Sequence, residues 1–210
     1  MAELVLPLVV RIERDAPPAR TDALEAAARA VLLMLTTEEP DWAEPVRAWS
    51  QDRIRKVVRR ARGTEWRRAA ALPGIDVVSG SAEVRVYPPI GVECWPPELK
   101  RLQVGGTELE DPAPPPQPPT GVPLVLLSPH LQMTAGKAMA QAGHAVQLGW
   151  WAASASARIA WQQAGFPLAV RDASAAQWAA AVQAGAPVVH DAGFTEVEPD
   201  SETAAFVLAS

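Results

Sequence analysis

The sequence predicts an α/β protein of two related halves, each a small mixed sheet flanked by helices, which can pack as a pseudo-dimer. Three observations predict this class. Short apolar strands alternate with Ala-rich helical segments. Two stretches of the chain resemble each other, and a proline-rich stretch separates them. With 49% hydrophobic and 20% charged residues among 210, the composition is that of a globular rather than a disordered protein.

Composition and charge limit the class further. The formal charge is −5, which argues against a general nucleic-acid coat protein, although a total can hide basic patches. A single cysteine, Cys94, excludes an intramolecular disulfide framework. Residues 4–10 lack the basic flank of a signal peptide, and no stretch is apolar for the roughly 18 residues that span a bilayer. We therefore expect a cytoplasmic protein without a membrane partner.

The predicted domain boundary is the proline-rich stretch at residues 111–121. Six of its eleven residues are proline, which supplies no backbone N–H to a helix or sheet, so a stiff linker is expected. The alternative is an ordered surface loop within one domain. The predicted division is a degenerate half at 1–110, the linker, and a catalytic half at 122–210.

An internal repeat supports this division. Residues 57–78 match residues 169–189, so that Arg59 aligns with Arg171 and Trp66 with Trp178. The matched positions lie about 111 to 116 residues apart, which indicates a duplication; chance similarity of two strand-helix-strand segments is the alternative.

The elements of the two halves follow from hydrophobic periodicity. In the first half we expect a strand at residues 4–10, a helix at 21–35 and a strand-helix-strand unit at 57–78. In the second half we expect strands near 123–127, 166–171, 187–191 and 203–209, and helices near 134–151, 156–164 and 174–184.

Functional groups concentrate on the long helix of the second half, which Thr134 is suited to cap. Lys137, Gln141 and His144 lie at i, i+4 and i+7, so all three project from one face. Their neighbours are mostly alanine, which would let a ligand or another backbone approach closely. A solvated face would instead carry mixed charges, so this face is predicted to belong to a site.

A second polar cluster, His190, Asp191, Gly193 and Thr195, follows the strand near 187–191. The carboxyl ends of strands in α/β sheets are favoured positions for sites. The first half repeats the scaffold but carries neither this cluster nor the polar helix face. This asymmetry predicts that the polar residues serve chemistry rather than folding.

Together the two segments resemble the type II, archaeal and eukaryotic type, peptidyl-tRNA hydrolases. The helix reads TAGKAMAQAGHA at 134–145 and the loop reads HDAGFTEVEPDSET at 190–203. The family signature is Gly-Lys-x-x-Ala-Gln-x-x-His-Ala, followed later by Asp-Ala-Gly-x-Thr-x-x-x-Pro-Gly-Thr. The resemblance covers roughly residues 122–209. Here His190 stands in place of the usual arginine, and Pro-Gly-Thr is replaced by a Pro-Asp-Ser-Glu-Thr segment.

The resemblance implies a hydrolase that cleaves the ester between peptide and tRNA, without a metal or cofactor. It places Lys137, Asp191 and Thr195 at the catalytic positions. The substrate-binding positions are Gln141, His144, Gly136 and Gly193. The alternative is a non-catalytic tRNA- or peptide-binding relative. Because the family usually forms homodimers, both a homodimer and a monomer with an internal pseudo-dimer are open.

Two questions about chemistry stay open in the sequence. Lys137 could stabilise an oxyanion, while either Asp191 or His144 could accept the proton of the attacking water. The basic stretch of the first half could contact tRNA phosphates, or it could be an ordinary solvated surface. Its candidate phosphate contacts are Arg53, Arg55, Lys56, Arg59, Arg60 and Arg62.

Overall fold

The computed structural model describes residues 3–193 and 196–208 and contains two α/β units. The first unit comprises β1 (Leu4–Arg11), α1 (Arg20–Leu35), α2 (Pro40–Ser50), β2 (Lys56–Ala61), α3 (Gly63–Ala70), β3 (Ile75–Ser79), β4 (Ala82–Val86), β5 (Ile90–Gly91), a 3-10 turn (Val92–Cys94) and α4 (Pro97–Lys100). The second comprises β6 (Leu124–Leu127), α5 (Ala135–Ala152), α6 (Ala155–Gln163), β7 (Ala169–Asp172), α7 (Ala175–Gln183), β8 (Val188–His190) and β9 (Glu202–Val207).

The two sheets have the same topology. Their strand orders are β2-β1-β4-β3 and β7-β6-β9-β8, with β5 added beside β1 in the first. In each sheet the first two strands are parallel, and the other pairings along the path are antiparallel. Trp66 on α3 and Trp178 on α7 are both buried against their own sheet. The predicted fold class of two similar α/β halves is thereby confirmed.

The halves contact each other through their longest helices, α1 and α5. Both helices are rich in buried alanine, which allows their backbones to approach closely. At Gly143 a β-carbon would lie 2.8 Å from Cγ2 of Val31 and 3.3 Å from Cδ of Lys56. Only glycine fits at this crossing without displacement of the first half. One hydrophobic core therefore runs across both units.

Polar contacts at the edge of this core join the same two units. Arg171, on β7, donates to Glu25 of α1 at 2.7 Å, and both side chains are largely buried. Arg20, at the start of α1, makes a two-pronged contact with Asp172 at 2.8 and 3.1 Å. Bidentate arginine–carboxylate contacts fix orientation as well as distance. They hold β7 against the helix of the first unit.

The proline-rich stretch connects the units as irregular structure anchored at several points. Asp111 accepts hydrogen bonds from both the backbone N–H and the hydroxyl of Thr21, at 2.8 and 2.7 Å. The carbonyl of Pro116 accepts two bonds from Arg171. The stretch is thus attached to both halves. Across the described parts of the chain, every helix is too short or too polar to cross a bilayer.

Candidate active site

Helix α5 begins where the sequence predicted. The hydroxyl of Thr134 accepts the backbone N–H of Lys137 at 3.3 Å, so Thr134 is the N-cap. Glu196, from the loop after β8, receives the backbone N–H and the hydroxyl of Thr134 at 2.9 and 2.7 Å. A carboxylate at this position is also favoured by the helix dipole. The start of α5 and the loop after β8 are therefore held together.

Asp191 directly follows β8, and a short hairpin fixes its backbone. Its N–H donates to the carbonyl of Ser201, and its own carbonyl accepts the N–H of Asp200 at 2.7 Å. Gly193 has a φ of +76°, and a β-carbon there would lie 2.5 Å from the ring of Pro199. Both conditions require glycine. Gly193 thus shapes the loop, and its N–H donates to Oδ1 of Asp191 at 2.8 Å.

Lys137 and Gln141 converge on Asp191, as their spacing predicts. Nζ of Lys137 lies 2.5 Å from Oδ2 of Asp191, and Nε2 of Gln141 lies 2.7 Å from the same oxygen. Oε1 of Gln141 accepts the hydroxyl of Thr203 at 2.7 Å, and Thr203 is fully buried on β9. The amide of Gln141 is consequently locked in one orientation. The result is a continuous network from β9 through α5 to the carboxylate.

This network sets the charge of Asp191. Burial by itself would raise the pKa of Asp191, but hydrogen bonds from Lys137, Gly193 and Gln141 stabilise the carboxylate and leave its pKa below the ordinary value. Asp191 is therefore ionised at neutral pH and is a weaker base than an exposed aspartate. Such a carboxylate is suited to hold Lys137 in place and to orient a water molecule.

His144, one turn further along α5, is bonded to a different partner. Its Nδ1 lies 3.2 Å from Nζ of Lys56, which comes from β2 of the first half. Burial, followed by the positive charges of Lys56 and Lys137, holds the pKa of His144 well below its usual range. The imidazole is therefore neutral at neutral pH. On the predicted helix face, Lys137 and Gln141 therefore contact a residue of their own half, whereas His144 contacts a residue of the other half.

The polar residues line one cleft of about 690 Å³ between the two halves. One wall is formed by residues of the second half, namely Lys137, Gln141, His144 and Asp191. The other wall is formed by the start of β2 and the residues before it. The lining includes four cationic side chains and three carboxylates. The cationic ones are Arg53, Arg55, Lys56 and Lys137, and the anionic ones are Glu3, Asp191 and Glu196. The cleft is therefore more positive than the chain as a whole.

One predicted site residue, Gly136, has a packing role as well as a place in the cleft. Gly136 lines the cleft, but a β-carbon on it would lie 3.2 Å from Cβ of Thr107, a buried residue of the first half. Its small size thus serves the packing of Thr107 on α5. Thr195, predicted to be catalytic, lies outside the described residues.

The six predicted phosphate contacts do not form one continuous exposed patch. Lys56 is buried, contrary to its expected exposure, because its amine lies on α5. Arg59 donates to two main-chain carbonyls and stacks on Trp95, and Arg60 bonds Gln103. Arg55 pairs with Glu3 at 3.1 Å. Arg53 and Arg62 are exposed, and of these two only Arg53 lines the cleft.

Sequence reasoning missed two contributors to the site, Thr203 and Glu196, and did not indicate the contact that Lys56 makes. Thr203 fixes Gln141, Glu196 fixes the start of α5, and Lys56 bonds His144. Thr203 ends the segment that replaces Pro-Gly-Thr, which was a usable signal. Glu196 lies in the same motif loop, but its contact with Thr134 and that of Lys56 with His144 join residues far apart in the chain. Among the described residues, no three His, Cys, Asp or Glu side chains are placed to share a metal ion.

Comparison of the chain with protein-family models and with curated proteins found no match.

Proposed function

We propose that the protein is a peptidyl-tRNA hydrolase, which cleaves the ester between a peptide and the terminal ribose of tRNA. One observation carries the proposal. Lys137 and Gln141, from the motif helix, share one oxygen of Asp191, from the motif loop, and all three line the cleft. These residues occupy the positions that the resemblance to the type II family assigns to the site.

The arrangement supplies what ester hydrolysis needs. Water adds to the ester carbonyl, the carbonyl oxygen becomes an oxyanion, and the C–O bond to the ribose then breaks to release an acid and an alcohol. A fixed positive group such as Lys137 stabilises the oxyanion in a site that excludes bulk solvent. Asp191 keeps that ammonium in place and orients the attacking water, whose proton passes to the ribose oxygen as the C–O bond breaks. No metal or cofactor is part of this scheme.

The cleft between the halves also fits an anionic substrate. The end of the tRNA acceptor strand carries one phosphate for each nucleotide, and the cleft presents a surplus of cations although the chain carries −5. Arg53 is the exposed cation at its margin. The degenerate half therefore contributes to substrate binding under this proposal, and the second half supplies the groups that act on the ester.

The decisive experiment is deacylation of an N-acetylaminoacyl-tRNA by the purified full chain. We expect release of the N-acetylamino acid in proportion to enzyme, and much slower hydrolysis of the same aminoacyl-tRNA with a free amine. The Asp191→Asn variant keeps the size of the side chain and serves as the inactive control. Binding of the substrate without its hydrolysis would favour the non-catalytic relative. The absence of both binding and hydrolysis would refute both functions.

The contribution of the first half is tested at Arg53. Arg53→Glu should weaken binding of N-acetylaminoacyl-tRNA. The logarithm of the association constant should also fall less steeply with the logarithm of the salt concentration, with a slope smaller in magnitude by about one, as expected for one lost phosphate contact. Arg14→Glu makes the same charge change at an exposed position that does not line the cleft, and should leave binding nearly unchanged. Fluorescence anisotropy over a salt series measures both. Equal effects of the two substitutions would show that only total charge matters.

A further inference from the structure

Lys56 is a buried cationic side chain that the proposed chemistry does not use. It lies on β2 of the degenerate half and is 7% exposed. Among the described residues it has no carboxylate partner within ion-pair distance. A buried amine without a carboxylate carries a large desolvation cost, and burial accordingly lowers the pKa of Lys56. Such an arrangement calls for an explanation beyond packing.

The surroundings of Nζ are those of an ammonium group. Three polar atoms surround it: Oε1 of Gln147 at 2.6 Å, the carbonyl oxygen of Ile54 at 3.2 Å and Nδ1 of His144 at 3.2 Å. Nζ also lies 4.8 Å from the centroid of the Trp49 ring, where a cation is attracted to the ring face. An ammonium has three N–H bonds, which equals the number of polar atoms around Nζ.

The hydrogen-bond count then decides the tautomer of His144. The carbonyl of Ile54 and Oε1 of Gln147 can only accept, so two of the three N–H bonds go to oxygen. In the ammonium form of Lys56 the third N–H is left for Nδ1, and Nδ1 is then the unprotonated nitrogen of the neutral ring. The ring proton then lies on Nε2, the nitrogen that does not contact Lys56.

The local packing maintains this contact at a cost. Gln147 is fully buried, and its Nε2 has no partner among the described residues, so its amide is oriented to suit Lys56. The stem of Lys56 passes the surface of α5 at Gly143, where a β-carbon would lie 3.3 Å from Cδ. An alanine there would press on the lysine stem. These features are expected when the position of the amine matters.

We infer that Lys56 is a positioning residue, supplied by the degenerate half, that holds His144 as a neutral Nε2–H donor in the cleft. His144 then binds an acceptor on the substrate, and it does not act as the base. The nature of that acceptor rests on the proposed function, in which the peptide carbonyls and the ribose oxygens are the acceptors at hand. Under the same function, Asp191 orients the attacking water.

The tautomer of His144 is measured directly, without any assay of activity. Long-range ¹H–¹⁵N correlation spectra of the full chain, labelled at histidine, should show His144 with an unprotonated Nδ1 and a protonated Nε2 at neutral pH. The chain has three histidines, and substitution of His130 and His190 by Gln, one at a time, assigns the signals. A protonated Nδ1 in the wild-type spectrum would overturn the inference, even where variants of Lys56 fail to fold.

Substitution of Lys56 provides a second test of the inference. Lys56→Met keeps the length of the stem and removes the amine, so the His144 signals should move toward the average of both tautomers and the pKa of His144 should rise. Lys100→Met, at an exposed site outside the cleft, is the matched control. An unchanged His144 spectrum in a folded Lys56→Met protein would overturn the inference.

Kinetic measurements on the same variants distinguish failure of this inference from failure of the proposed function. In metal sites, loss of a partner that orients a ligand typically costs about 10–100-fold in activity, and we expect kcat for N-acetylaminoacyl-tRNA to fall by a similar factor in Lys56→Met with little change in KM. An equal loss in Lys100→Met would count against the inference. An inactive wild-type protein would refute the hydrolase function, and the spectra would still decide the role of Lys56.

Discussion

Lys137→Ala is expected to lower kcat/KM for N-acetylaminoacyl-tRNA about a hundredfold to thousandfold. The physical reason is loss of the ammonium group that contacts Asp191, and with it the fixed charge that stabilises the oxyanion. Removal of a single oxyanion-stabilising group typically costs about 3–4 kcal/mol of transition-state stabilisation. Because the ammonium acts in the transition state, the loss should fall on kcat more than on KM. Single-turnover deacylation measures it.

The chain offers a matched control for this substitution. It has three lysines, and Lys100→Ala removes an exposed one outside the cleft, so kcat/KM should stay close to that of the wild type. Lys137→Ala should also raise the pKa of Asp191, since the largest contribution that lowers it is the bond from Lys137. Deacylation at the wild-type rate in Lys137→Ala would refute the proposed role of the ammonium.

Phe206→Ala is expected to lower the free energy of unfolding by about 3–5 kcal/mol, the usual cost of truncating a buried phenylalanine. Phe206 is 1% exposed on β9, and its ring lies 5.5 Å from that of Trp161, centroid to centroid. Its ring atoms also fill the space above Gly149 of α5, where a β-carbon would lie 2.2 Å from Cδ1. Truncation leaves a cavity that neither neighbour can fill. Urea denaturation followed by far-UV circular dichroism measures the change.

The position of Phe206 on β9 also connects stability with the site. Thr203, which holds Gln141, lies on the same strand. Leu208, just beyond β9 and about half exposed, provides the control, because Leu208→Ala removes little buried surface and should cost well under 1 kcal/mol. Similar losses in the two variants would show that Phe206 does not contribute through burial.

The elements that the sequence predicted correctly depend on local signals. Helix α5 begins after Thr134 because a hydroxyl at the N-cap accepts an N–H within the same turn. The i, i+4 spacing of Lys137 and Gln141 places both on one face whatever the rest of the chain does. The repeated strand-helix-strand pattern, with Trp66 and Trp178 at matched positions, likewise predicted two sheets of one type.

The contacts that the sequence did not indicate have a common cause in long-range packing. Lys56 belongs to a stretch dense in arginine, and its neighbours suggested a solvated patch. In the structure its strand runs beside α5 of the other half, so the amine is buried against His144. Charge density along the chain does not state which side chains a neighbouring element will cover. Arg59 shows the same effect, with its guanidinium on main-chain carbonyls.

The sequence alone therefore determined the α/β class, the duplicated scaffold and the helix face that carries Lys137, Gln141 and His144. These follow from hydrophobic period, capping and spacing, which act within a few residues. Only the tertiary structure decided that His144 is bonded by Lys56 from 88 positions earlier in the chain and that Gln141 is bonded by Thr203. The contact of Lys56 with His144 arises because α5 packs closely on α1 and β2 of the first half through alanine and glycine, whereas the contact of Thr203 with Gln141 arises because β9 packs against α5.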